Sequence, residues 1–151
     1  MALRGNELEK AANKTNLLYR KEKKALILKV PVGIIITNKG AIPQRSTVDF
    51  VGLLKGGKFI AYDAKETKSK TSFPLKNIHQ HQYEYLKYVN ALDGVAFFLI
   101  QFTSLYEEQA FVVPMKLITQ YWEHETRKSI PINEFKKEWL VNLDDYLNLK
   151  V

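Results

Sequence analysis

Leu8, Ala12, Thr15, Leu18 and Tyr19 recur at the three- and four-residue spacing of one helical face, which predicts a helix over residues 6–20 with Asn6 as its N-cap. Arg20-Lys21-Glu22-Lys23-Lys24 closes that helix with positive charge, which suits its dipole. The pattern then turns strand-like. Ala25 to Val30 and Gly33 to Thr37 read as strands separated by Pro31, and Asn38-Lys39-Gly40 has turn chemistry. Ile34-Ile35-Ile36 is continuous rather than alternating, so it is either buried on both sides or an exposed apolar surface, and residues 31–45 are expected to project as a short stalk.

Residues 47–65 carry two more strand-like runs around Gly56-Gly57, a tight-hairpin signal because both glycines accept positive φ. Along the second run Phe59, Ala61, Asp63 and Lys65 share one face, and Ile60, Tyr62 and Ala64 the other. Residues 66–76 read as a loop rich in lysine, serine and threonine. Asn77 to Ala91 is a predicted helix whose stripe of Ile78, Tyr85, Leu86 and Val89 includes Gln82. Strands follow over Val95 to Phe102 and Gln109 to Val113, the first so apolar that it is expected to be central, and Pro114 opens a helix to about Thr126 with Tyr121 and Trp122 in the core. The tail from Pro131 adds helical or irregular packing through Phe135, Trp139, Leu140, Leu143 and Leu147.

At 151 residues, 46% hydrophobic and 26% charged, the chain reads as one soluble domain over 1–151. The absence of cysteine excludes disulfides and thiolate chemistry. No run is apolar enough for a membrane span or a signal-peptide core, so a cytoplasmic protein with no membrane partner is expected. The net charge of +7 is unevenly placed: residues 1–24 hold seven basic and three acidic residues, residues 55–76 six and two, and the remainder ten and eleven. Two basic blocks flanking a carboxylate pair suggest a polyanion brought to a metal.

That pair is Asp49 and Asp63, acids on strands where apolar residues would be expected, with Lys65 on the face of Asp63. A divalent metal held by Asp49, Asp63 and the Ala64 carbonyl, with Lys65 beside a water, is the arrangement phosphodiester hydrolysis needs. A surface ion pair of Asp63 with Lys65 satisfies the same pattern. Glu9, beside the first helix's apolar stripe, is either a solvated carboxylate or a third acid, and Gln82 is either satisfied by backbone or aimed at the site. His79 and His81, spaced i and i+2, are not expected to chelate a metal together.

Arg4-Gly5, Leu8-Glu9, Asn13, Thr15-Asn16-Tyr19, Lys29-Val30-Pro31, Ser46-Thr47-Val48-Asp49, and above all the run Asp63-Ala64-Lys65-Glu66-Thr67-Lys68-Ser69-Lys70-Thr71-Ser72-Phe73-Pro74-Leu75 with His79-Gln80-His81-Gln82, resemble the RecU-type Holliday junction resolvases. The resemblance runs from Arg4 to about Trp122. It implies an α/β fold of the PD-(D/E)XK nuclease type: a mixed central β-sheet flanked by helices, with a short projecting stalk. It further implies a cytoplasmic homodimer that uses Mg²⁺, with Mn²⁺ expected to substitute, to nick four-way DNA junctions in pairs during recombination. Asp49, Asp63 and Lys65 match the family's catalytic acids and lysine, Glu9 an acid on its first helix, and Gln82 a polar helix residue near the site. Arg4, Arg20, Lys21, Lys23, Lys24, Lys39, Arg45, Lys68, Lys70 and Thr71 are the expected DNA contacts. Val48 stands where the family usually has threonine, and residues 31–45 are shorter than the family's stalk, which implies looser shape selectivity. A branched- or flap-DNA nuclease or a restriction-type enzyme on the same fold, and a non-catalytic junction-binding module, are the alternatives.

Overall fold

The computed structural model describes residues 4–31, 34–43, 48–105 and 107–149, with backbone alone for residues 4–6, 34, 35 and 43. The chain opens with α1 (Arg4–Lys21), followed by β1 (Ala25–Lys29), β2 (Ile34–Thr37), β3 (Gly40–Pro43), β4 (Phe50–Leu54), β5 (Phe59–Thr67) and β6 (Ser72–Pro74). After these come α2 (Gln80–Ala91), β7 (Val95–Phe102), β8 (Gln109–Pro114), α3 (Met115–Thr119), β9 (Ser129–Pro131) and β10 (Leu140–Val141).

Six strands form one mixed sheet in the order β1-β4-β5-β7-β8-β10, in which only the β5–β7 pair is parallel. The sheet separates two apolar layers. On one face Leu8, Ala12 and Tyr19 of α1 pack on Ala25, Ile27, Phe50, Ile60, Tyr62, Phe97 and Leu99. On the other, Leu86 and Val89 of α2 and Leu117 and Ile118 of α3 pack on Ala61, Phe98, Ile100 and Val113. A helix-flanked mixed sheet is the nuclease-like architecture that the resemblance implied, and β7 is its buried centre as its composition predicted.

Several boundaries differ from expectation for local reasons. The first helix begins at Arg4, so Asn6 lies within it, and Leu18 is 50% exposed while Asn16 is buried. Asn16 belongs inside because its amide donates to Tyr62 Oη at 3.1 Å and its carbonyl accepts from Tyr146 Oη, joining α1 to β5 and to the C-terminal segment. Leu54 N donates to Lys58 O at 2.9 Å, which makes the β4–β5 loop three residues, Lys55-Gly56-Gly57, with φ of 99° and 91° at the two glycines.

The expected loop over residues 66–76 is shorter, because β5 runs on to Thr67 and β6 pairs with β9 in a small separate sheet. The helix after Pro114 is α3 followed by a π-helical turn over Gln120–His124, with Tyr121 buried and Trp122 stacked on Tyr83 at 4.5 Å. The tail supplies the edge strand β10 and the buried Tyr146. Residues 34–43 form a separate two-stranded ribbon, β2 against β3, with Lys39 in its turn and Ile36 85% exposed.

Candidate active site

The site forms where β4 begins beside the middle of β5. Phe50 pairs with Tyr62, which sets Asp49 opposite Asp63. The two acids are then tied by backbone: Asp49 N donates to Asp63 Oδ1 at 2.9 Å, and Ala64 N donates to Asp49 Oδ2 at 3.0 Å. The N–H and C=O of one strand residue point to the same side, so the Ala64 carbonyl opens toward Asp49, past the end of β4. Lys65 Nζ lies 3.1 Å from Asp63 Oδ2 but off the line of a hydrogen bond, which leaves that buried oxygen without a hydrogen-bond partner. Val48, where a hydroxyl was expected to be missed, is fully buried among apolar neighbours and anchors the segment leading into Asp49.

Gln82 reaches the site. Its amide donates to Asp63 Oδ1 at 3.4 Å, while its Oε1 accepts from His79 N at 3.1 Å, so one buried side chain links the start of α2 to the acid. Replacement of Gln82 by alanine should cost about 1–3 kcal/mol in urea unfolding and lower cleavage roughly tenfold, because Asp63 loses a donor and α2 a cap. An unchanged rate would place Gln82 outside the mechanism.

Glu9 approaches from the α1 side of the sheet. Lys29 Nζ lies 3.5 Å from Glu9 Oε2, 3.1 Å from Asp49 Oδ1 and 5.4 Å from the centre of the Phe50 ring. Lys29 is a site residue that sequence reasoning did not assign; its alternation on a half-exposed strand gave no signal, although it closes β1 next to the acids. Burial, followed by the nearby Asp49 charge, raises the Glu9 pKa above the usual carboxylate range. Burial and then Asp49 push Asp63 up to about 7, against the opposing pull of Lys65.

These observations fit a divalent cation. Two mutually repelling carboxylates, one raised to about 7 and carrying an unpartnered buried oxygen, are groups that a cation would relieve. Among the described residues no group of three or more His, Asp or Glu is placed to share an ion, so the donor set is two carboxylates and a carbonyl. That set suits Mg²⁺, which keeps several waters.

The expected DNA contacts divide by position. Lys68, Lys70 and Thr71 are exposed just beyond Lys65 on the strand that carries the acids. Arg20, Lys21, Lys23 and Lys24 lie at the far end of β1, four residues or about 13 Å of strand from Lys29. Lys39 is exposed in the ribbon turn, whereas Arg45 and the Arg4 side chain lie outside the described residues. His79 precedes α2, so its ring stacks on His81 at 5.7 Å instead of facing away as helical spacing suggested, and the pair is not part of any metal cluster among the described residues.

Comparison with known proteins bears directly on this arrangement. The family model described as "Recombination protein U" matches residues 3–150. The chain belongs to the RecU family. The Holliday junction resolvase RecU of Oceanobacillus iheyensis is 35% identical over 150 residues, which span 89% of this chain and 75% of that protein. The RecU of Bacillus licheniformis is 38% identical, with 89% and 73% covered, and that of Bacillus cytotoxicus 37%, also with 89% and 73% covered. Among solved structures, the Holliday junction resolvase Hjc of Archaeoglobus fulgidus aligns over 88% of this chain and 94% of its own at a TM-score of 0.45 and 12% identity. The RecU family is one of junction-resolving nucleases, and the acid pair and lysine of this member occupy one end of the β4–β5 hairpin. No helix among the described residues is long and apolar enough to cross a membrane.

Proposed function

We propose that this chain is a divalent-metal-dependent endonuclease that resolves four-way DNA junctions by paired, symmetric nicks, acting as a cytoplasmic homodimer of single-domain subunits. The observation that carries this reading is the Asp49–Asp63–Lys65 constellation with its unpartnered Asp63 oxygen, in a member of the RecU family.

Asp49, Asp63 and the Ala64 carbonyl would hold Mg²⁺, or Mn²⁺ in its place. Such an ion supplies charge neutralisation at the phosphate and a more acidic water. Lys65 stands beside Asp63 where it orients that water toward phosphorus and offsets negative charge that grows in the transition state. Gln82 fixes the Asp63 rotamer, and Glu9 with Lys29 holds Asp49 from the other side of the sheet. Lys68, Lys70 and Thr71 hold phosphates next to the cut; Arg20, Lys21, Lys23 and Lys24, with Arg4, Arg45 and Lys39, hold duplex arms farther out. Phosphate contacts position DNA without reading bases, so shape governs substrate choice, loosely given the short ribbon.

The test is incubation with a labelled four-way junction and a linear duplex of matched sequence, in Mg²⁺ or chelator. Paired nicks on the junction alone, lost in chelator, are expected. Equal cutting of both DNAs would replace the resolvase by a branched-DNA or restriction-type nuclease, and binding without cutting in any metal would leave a junction-binding module.

A further inference from the structure

The face of the sheet opposite α1 is only partly covered. In register across three strands, Leu26, Leu53 and Phe59 form one row, and Leu28, Val51 and Ala61 the next. Helix α2 covers the second row at Ala61, but Leu26, Leu28, Leu53 and Phe59 remain 43%, 53%, 48% and 42% exposed. The patch continues onto α2, where Tyr88 and Leu92 are 72% and 79% exposed beside a recess of about 380 Å³ floored by Phe59, Tyr85, Val89 and Gly94. These six side chains expose on the order of 600 Å² of apolar surface, more than a typical monomer leaves bare and close to the roughly 800 Å² per partner of a standard stable interface.

We infer that this face, from Leu26 through Phe59 to Tyr88 and Leu92, is where a second copy of the chain packs. The inference deepens the homodimer reading above and rests on it for the symmetry of the substrate. Charge is what selects a second copy. At the β1 end, Arg20, Lys23, Lys24 and Lys55 rim a recess of about 290 Å³ around Leu26 and Leu53. At the α2 end the exposed acids are Glu84, beside Tyr88, and Asp93, between Leu92 and Gly94, while Lys87 is already paired with Glu123 at 2.7 Å. A two-fold axis through the patch lays the cationic end of one subunit over the acidic end of the other, twice, and closes the assembly. Apolar centre and charged rim are the anatomy of a protein interface. Nucleic acid would need cations at the centre, where there are none. Asp63 lies four residues beyond Phe59, so such a dimer leaves both acid clusters outside the buried face and free to take two strands.

Sedimentation velocity of the full chain, without DNA or metal, reads the result directly. Wild type should sediment as a dimer of the 17.5 kDa chain. Tyr88→Glu combined with Leu92→Glu, and separately Leu53→Glu, should raise the dissociation constant at least about a hundredfold, with circular dichroism unchanged. Leu17→Glu, an exposed apolar position on α1, should leave the dimer intact. If Leu53→Glu fails to fold, the α2 double variant decides alone. A monomeric wild type at tens of micromolar, or a dimer that survives the α2 double variant, would overturn the inference. Because mass is read apart from cleavage, a dimer that cuts no junction would sink the resolvase reading and leave this face standing, while a monomer that resolves junctions would do the reverse.

Discussion

Asp63→Asn should abolish junction cleavage, by at least roughly a thousandfold, and at the same time raise the melting temperature of the metal-free protein at pH 8 by on the order of 5 °C. Both effects have one origin. The Asp63 carboxyl is fully buried and its pKa is pushed up to about 7, first by burial and then by Asp49. In the unfolded chain the group titrates near the ordinary carboxylate value of 3.8. The folded protein therefore binds the extra proton between those values. The stability this gives is fully present below about pH 4 and is lost as pH rises through 7. At pH 8 the charge is a net cost, only partly offset by Lys65.

Asparagine removes the charge while its carbonyl oxygen still accepts from Asp49 N and Gln82. Mg²⁺ should stabilise wild type more at pH 8 than at pH 6, because below 7 it competes with a proton, and the variant should show no Mg²⁺-dependent shift. Thermal unfolding at the two pH values, with Mg²⁺ or chelator, checks the argument. A variant less stable than wild type at pH 8 would mean that the Lys65 ion pair outweighs the burial of the acid, and a retained Mg²⁺ shift would remove Asp63 from the metal site.

How far the sequence revealed this site depended on where the deciding contacts lie along the chain. Asp63 and Lys65 on one face of β5 follow from strand alternation, and Asp49 joins them once the hairpin register is set, fourteen residues away. Register itself was not legible, because the third loop residue, Lys55, has no turn signature beside two glycines that do. β6 was read as loop because Ser72-Phe73-Pro74 is three residues long and finds its partner in Ser129–Pro131, a pairing that local propensity cannot show. Asn16 and Tyr146 were missed for the same reason: their hydrogen bond spans 130 residues, and a polar residue at a helix's buried edge reads as surface until its partner is known. Lys29 is the clearest case. Its position is ordinary in β1, and only the convergence of Glu9 from one side and Asp49 from the other makes it part of the site.

That convergence depends on Gly52, and Gly52→Ala should destabilise the protein by about 3 kcal/mol or more. The residue pairs with Ile27, and a Cβ built on it would stand 2.1 Å from the Leu26 carbonyl oxygen and 2.7 Å from the Ile27 Cα. Both obstacles are backbone atoms of β1, so no rotamer change relieves the clash and the edge strand must move away from β4. Displacing β1 draws Ile27 out of the layer beneath α1 and withdraws Lys29 from Glu9 and Asp49, which should also lower cleavage in whatever fraction stays folded. Gly56→Ala separates this from the general effect of losing a glycine. Gly56 has open space around it but a φ of 99°, so alanine there costs only the backbone strain of about 1–2 kcal/mol. Urea unfolding of the two variants should therefore differ by more than about 1 kcal/mol, with Gly52→Ala the weaker protein. Equal stabilities would show that β1 and β4 have room to part, and that Lys29 is held at the acids by its ion pairs rather than by the close approach of the strands.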